Sequence, residues 1–149
     1  MEEHERLNDL TESVLGAAIA VHSELGPGLL ESAYEACLVY ELSQRELQLE
    51  RQKPLPVVYR GVELECGYRL DLVVANEIIV EIKAVERLCS VHEAQLLSYL
   101  KLSGHRVGLL PNFNVTRLAD GIRRLVNNFP DPLRPSAFSA VGRSSKEDE

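Results

Sequence analysis

Two apolar runs that carry charges in their middles constrain this chain most. They read CGYRLDLVV from Cys66 and IIVEIKAV from Ile78, with a short polar turn at Asn76-Glu77 between them. Such runs on either side of a turn form a β-hairpin. Ile78, Ile79, Val80 and Ile82 put apolar side chains on both faces, so the second strand belongs in the middle of a sheet. A helix follows in the phrase HEAQLLSYL. Asp71, Glu81, Lys83 and Gln95 stand inside these greasy segments. Charges are costly to bury unless they pair with each other or with a metal.

The flanking chain supplies the other elements. Leu7, Leu10, Val14, Ala17, Ala18, Val21 and Leu25 recur three or four apart, one apolar face of a helix with Asp9 or Thr11 as its cap. Gly26-Pro27-Gly28 breaks it. A second helix is expected over about 29–45, burying Leu30, Tyr34, Cys37, Leu38 and Leu42. Leu49 and residues 54–59 read as an edge strand, because Pro54 and Pro56 cannot donate to a ladder. Val62, Leu64 and Cys66 alternate with acids, a half-exposed strand expected to run on past Gly67 into residues 70–74. A third helix spans about 91–103 and ends at Gly104, and a short strand covers 106–110. The last helix is expected over 116–127, with Leu118, Ile122, Leu125 and Val126 inward. The order is ααβββαβα: one α/β domain with a mixed sheet over residues 1–129. Residues 130–149, Pro-rich and then charged, form a tail with no reason to fold.

The 149 residues suffice for one domain with a real core, and 45% hydrophobic with 26% charged residues is ordinary for a globular protein. The longest apolar stretch, VLGAAIAV, is too short for a membrane span, and the start MEEHER lacks the basic opening of a secretory signal. Three cysteines without C-x-x-C spacing argue against a disulfide framework, a zinc site or a cysteine-held cluster, and point to a reducing, cytoplasmic setting. Cys37, Cys66 and Cys89 read as small buried residues. The net charge of −7 opposes indiscriminate nucleic-acid binding but leaves room for a local basic surface.

Side chains two apart on a strand share a face, so Glu81 and Lys83 project together. If Asp71 pairs across the hairpin near Glu81, two carboxylates and an ammonium occupy one patch. Such carboxylates repel, and one is pushed towards protonation unless a hard cation relieves them. Mg²⁺ suits the site because it takes a few carboxylates and fills its other positions with water and phosphate oxygens. Phosphodiester hydrolysis is the reaction that fits best. Gln95 and Tyr99, spaced i, i+4, share a helix face; Gln95 could hydrogen-bond water or phosphate, and Glu31 could add a third carboxylate. The same residues also read as an ion pair between strands, and Tyr99 and Tyr34 as packing. His22 reads first as a satisfied histidine, second as an approach to the site from the side of Glu31.

Asp71, Glu81-Ile82-Lys83 and Gln95-x-x-x-Tyr99 resemble the core signature of the PD-(D/E)xK nuclease superfamily, in its RecB-like branch. Gly28-x-x-Glu31-x-x-Tyr34 matches the motif that names the GxxExxY protein family within it, and LGPGLLESAYE, IIVEIKAVE, HEAQLLSYLK and GLLPNF look like that family too. The likeness runs from about Leu10 to Asn127. Leu70 departs from the proline of the superfamily name.

The resemblance implies the fold and a nuclease site but no defined substrate. We read the chain as a Mg²⁺-dependent DNA nuclease, with Mn²⁺ as the alternative ion and a setting in repair or defence. The resemblance also implies that Asp71, Glu81 and the Ile82 carbonyl bind the metal, with Glu31 a direct or water-mediated ligand. Lys83 would be the catalytic lysine. Gln95 and Tyr99 would support it, with Tyr34 and His22 as further supporting candidates. The cysteines that hold an iron–sulfur cluster in some RecB-like relatives are missing. A homodimer or a partner protein would have to extend so small a grip on DNA. The rival reading is a nuclease-fold module that binds nucleic acid or protein without turnover; RNA or a small phosphodiester is a third, weaker substrate reading.

Overall fold

The computed structural model describes residues 2–130. The tail expected over 130–149 lies, Pro130 apart, outside the described residues.

Helix α1 (Glu3–Leu25) buries Leu7, Val14, Ala17, Ala18 and Val21, the face its spacing requires. It starts at least about two turns earlier than a cap at Asp9 or Thr11 would allow. Both lie inside the helix, and the Thr11 hydroxyl donates to the Leu7 carbonyl at 2.7 Å instead of capping. Glu3 and Glu5 supply the negative charge that a first turn favours. An ion pair with Arg106 fastens Glu3 and holds its carboxyl below the usual range. Gly26 ends the helix at φ 69°, a conformation that suits glycine. Helix α2 (Glu31–Gln44) then packs against α1 through Tyr34, Leu38 and Leu42. Leu30, expected in that face, precedes the helix and is exposed, and Cys37 is only half-buried.

The main sheet has five strands. They are β1 (Leu49–Pro54), β4 (Arg69–Val74), β5 (Ile78–Val80), β6 (Val107–Pro111) and β7 (Ile122–Val126), in that spatial order. β5 and β6 run parallel, joined through helix α3 (Ser90–Ser103), and the other neighbours are antiparallel. The sheet is mixed, as expected, and β5 is central. β1 holds an edge, where Pro54 is tolerated. Residues 62–74 are not one strand. Gly67, at φ 82°, breaks them; β3 (Val62–Leu64) pairs with β2 (Val57–Tyr59) as a separate ribbon.

Both faces of the sheet are covered. Leu72, Val74, Ile78, Val80 and Leu109 face α1 and α2. Val73, Ile79, Leu110 and Leu125 face Leu96 and Leu100 of α3. Gly104, at φ 80°, closes α3, and the His92 ring accepts the Cys89 N–H at its start, 3.1 Å away. Cys89 and Cys66 are exposed, not buried, because one caps this helix and the other sits at the Gly67 break.

The helix expected over 116–127 does not form. Leu118–Gly121 make one 3₁₀ turn and the rest is β7, paired with β6 from Val107↔Val126 to Pro111↔Ile122. Leu118, Ile122, Leu125 and Val126 fit a helical stripe, but Leu125 and Val126 also point to opposite sheet faces. Without β7 the outer edge of β6 would be left unpaired, and its ladder decides between the two patterns. α3 lies so close to β6 that a Cβ on Gly108 would meet Leu96 side-chain atoms at 2.9–3.0 Å. Gly108→Ala is expected to cost about 1–3 kcal/mol by overpacking, read as a lower urea midpoint at unchanged slope.

Candidate active site

The site lies where the β4–β5 ladder opens. Leu72↔Val80 is its last pair towards the site, which leaves Asp71 across from Glu81. The two side chains fill the bonds the ladder would have made. Glu81 Oε2 accepts the Asp71 N–H at 2.8 Å, and Asp71 Oδ2 accepts the Ile82 N–H at 2.9 Å. Buried backbone donors need partners, and here the carboxylates supply them. On its other side the chain stays on β6: the Glu81 and Lys83 N–H groups donate to the Leu109 and Pro111 carbonyls at 2.9 and 3.0 Å. Ile82 is buried among the α1–α2 side chains.

These acids are electrostatically frustrated. Burial pushes the Glu81 carboxyl up to about 8, and the Asp71 charge adds to the rise. The Asp71 N–H and the Lys83 ammonium pull it back. Asp71 is raised by burial and lowered by the Ile82 N–H, the Gln52 amide and Lys83. Burial, and after it the Glu81 charge, raises the Tyr99 hydroxyl on α3, and the Tyr68 ring lies edge-on to the Tyr99 ring at 5.9 Å.

Lys83 is half-buried, and its main chain is pinned: Phe113 N–H donates to its carbonyl at 2.8 Å. Glu31, exposed at the start of α2, reaches this strand, where its Oε2 accepts the Ala84 N–H at 3.1 Å. Tyr34 sets that approach. Its hydroxyl donates to the Gly26 carbonyl at 2.6 Å and accepts the Leu29 N–H at 3.1 Å, while its ring stacks on Phe113 at 4.5 Å. Tyr34 therefore ties the Gly-Pro-Gly loop to the strand of Lys83. Tyr34→Phe is expected to cost about 1–2 kcal/mol, read as a lower melting temperature.

The structure thus joins Asp71 and Glu81 directly. Lys83 and Tyr99 lie within reach of their charge, and Glu31 meets the chain at Ala84 rather than at the pair. Gln95 stands on α3 one turn before Tyr99, exposed, and none of the hydrogen bonds to the two carboxylates comes from it. His22 is buried and satisfied: its Nε2 donates to the Val115 carbonyl at 2.8 Å, with the ring 6.2 Å from Phe113.

Three residues escaped sequence reasoning. Glu35 lies one turn after Glu31, and its charge raises both Asp71 and Glu81; the i, i+4 spacing was its only signal. Gln52 donates to Asp71 Oδ1 at 3.3 Å. Asn112, buried, braces the chain after Lys83: its Oδ1 accepts the Val85 N–H and its Nδ2 donates to the Val85 carbonyl, both at 2.9 Å.

Among the described residues no three His, Cys, Asp or Glu side chains converge as a ready-made metal cage. The pair instead offers two carboxylates, whose oxygens keep lone pairs beyond the bonds they accept, beside the Ile82 carbonyl. Such a donor set suits Mg²⁺, which uses one or two carboxylates and keeps several waters.

The family profile of the PD-(D/E)XK nuclease superfamily matches residues 8–125, and the chain belongs to that superfamily. Its nucleases typically use divalent cations such as Mg²⁺. No curated protein and no solved structure matches the chain. Among the described residues no helix is long and apolar enough to cross a membrane.

Proposed function

We propose that this protein is a Mg²⁺-dependent nuclease that hydrolyses DNA phosphodiester bonds, with Mn²⁺ as a substitute ion. The buried Asp71–Glu81 pair at the open ladder carries the reading, because burial and mutual repulsion keep the two carboxyls from ionising together unless a cation joins them. Asp71, Glu81 and the Ile82 carbonyl hold the ion, and Glu31 joins them directly or through water. A bound divalent cation supplies Lewis-acid polarisation of the phosphodiester. Lys83, on the same strand, orients the attacking water and offsets charge building on the phosphate. Gln95 and Tyr99 complete the site from α3, in the manner of the RecB-like branch and the GxxExxY family. Three free thiols suit a reducing, cytoplasmic setting.

Calorimetry with Mg²⁺ and Mn²⁺ on wild type and Asp71→Ala, with cleavage assays on single-stranded DNA, duplex DNA and RNA, tests this. Binding lost in the variant and Mg²⁺-dependent DNA cleavage by wild type are expected. Binding without cleavage of any substrate would instead support an assembly module. The ribbon favours that second reading, because it leaves Val58, Tyr59, Val62 and Leu64 exposed, as a docking surface for a second copy or another protein would be.

A further inference from the structure

β1 meets β4 with Arg51 opposite Leu72 and Lys53 opposite Leu70, which puts Gln52 opposite Asp71. There the Gln52 backbone takes φ 49°. A residue with a side chain adopts that left-handed conformation at a cost that glycine escapes. Strain of this kind persists where the surroundings use it. The Gln52 amide shows the use. Its Nε2 donates to Glu35 Oε1 at 3.0 Å and to Asp71 Oδ1 at 3.3 Å. Glu35 is itself anchored, because Arg51 Nε and Nη2 donate to its Oε2 at 3.3 and 3.1 Å.

Asp71 is therefore gripped at both oxygens, Oδ2 by the Ile82 N–H and Oδ1 by Gln52. The terminal torsion of an aspartate is soft and roughly two-fold. Held at one oxygen only, the carboxylate can rock about that bond. We infer that Gln52 is a positioning residue for Asp71: it ties the carboxylate to the Arg51–Glu35 pair and fixes its plane. The consequence for metal binding and turnover rests on the nuclease reading above; the hold on Asp71 does not.

Two variants separate the amide from the backbone. Gln52→Gly removes the amide and relieves the left-handed strain; Gln52→Met removes the amide and keeps both length and strain. Three measurements go on each: melting temperature, hydrogen exchange of the Ile82 amide without metal, and Mg²⁺ affinity by calorimetry. Both variants are expected to exchange the Ile82 amide about tenfold faster, because its acceptor is loosened. Both should bind Mg²⁺ about 10–100-fold more weakly. Gln52→Gly should melt no lower than wild type, a result that a merely structural role does not produce together with the other two. Unchanged Ile82 exchange in both variants overturns the inference, whatever the metal does. If wild type binds no Mg²⁺, the nuclease reading falls, and the exchange rates still decide the role of Gln52.

Discussion

Lys83→Ala is expected to lower Mg²⁺-dependent DNA cleavage by about 10²–10⁴-fold, the range a positioned proton-transfer or charge-stabilising group supplies. The fold should survive. The main chain at Lys83 is held by Pro111 and Phe113 through backbone groups that the substitution leaves alone. Its side chain is half-buried and outside both apolar clusters, so its loss opens little cavity. Metal binding should persist, since Asp71, Glu81 and the Ile82 carbonyl remain. One secondary effect has a definite sign. The Lys83 charge lowers the proton affinity of both Asp71 and Glu81, so its removal raises both. Protons then compete better with Mg²⁺ near neutral pH, and apparent affinity should recover as pH rises. Lys83→Arg keeps the charge but replaces a compact ammonium with a planar fork, and should restore the affinity more than the rate. Cleavage by Lys83→Ala at the wild-type rate would remove Lys83 from the reaction.

The second large effect concerns stability. Glu81 is raised from 4.5 to about 8 in the folded protein. Between those values the folded state holds a proton that the unfolded chain has released. Stability from this group is complete below about pH 4.5 and is lost as pH rises through 8. Asp71 is raised as well and acts with the same sign. The metal-free protein should therefore weaken towards alkaline pH, by as much as about 5 kcal/mol at 1.36 kcal/mol per pH unit. Glu81→Gln keeps the volume and an acceptor for the Asp71 N–H without a charge to bury. Its stability should fall less over that window, keeping only the part that Asp71 contributes, and should exceed wild type at pH 8.5, while cleavage is lost. Added Mg²⁺ should stabilise wild type at that pH and do little for the variant. Denaturant titrations at several pH values check this. Parallel pH profiles for the two proteins would mean that Glu81 is not the frustrated group.

The site was legible where chemistry interrupts an apolar pattern. Asp71, Glu81 and Lys83 stood out because charges are rare inside runs like LDLVV and IIVEIKAV. Their mutual arrangement was not legible. The ladder ends at Leu72↔Val80, and the carboxylates then bond to each other's strand; alternation alone cannot show where pairing stops. Gln52 gave no signal, because a positive φ at a residue other than glycine leaves no mark on composition. His22 and Tyr34 show the reverse. Both are polar groups on helices near a glycine turn, and their partners, the Val115 and Gly26 carbonyls, make them structural.

Residue order by itself determined α1, α2 and α3, the β4–β5 hairpin and the central place of β5, because each rests on a local period that only one backbone geometry can bury. Tertiary structure decided the rest. Ile122, Leu125 and Val126 satisfy the helical and the extended pattern alike, and pairing with the outer edge of β6 selected the strand. Val62, Leu64 and Cys66 alternate like a strand that runs on into residues 70–74, yet Gly67 turns the chain, and Val62–Leu64 pair with Val57–Tyr59 as a separate ribbon. Glu35 and Gln52 come to the site because β1 and α2 fold against β4, and no spacing along the chain encodes that approach. Local periods settle which face a segment hides; only closure of the sheet settles which neighbours its polar groups meet.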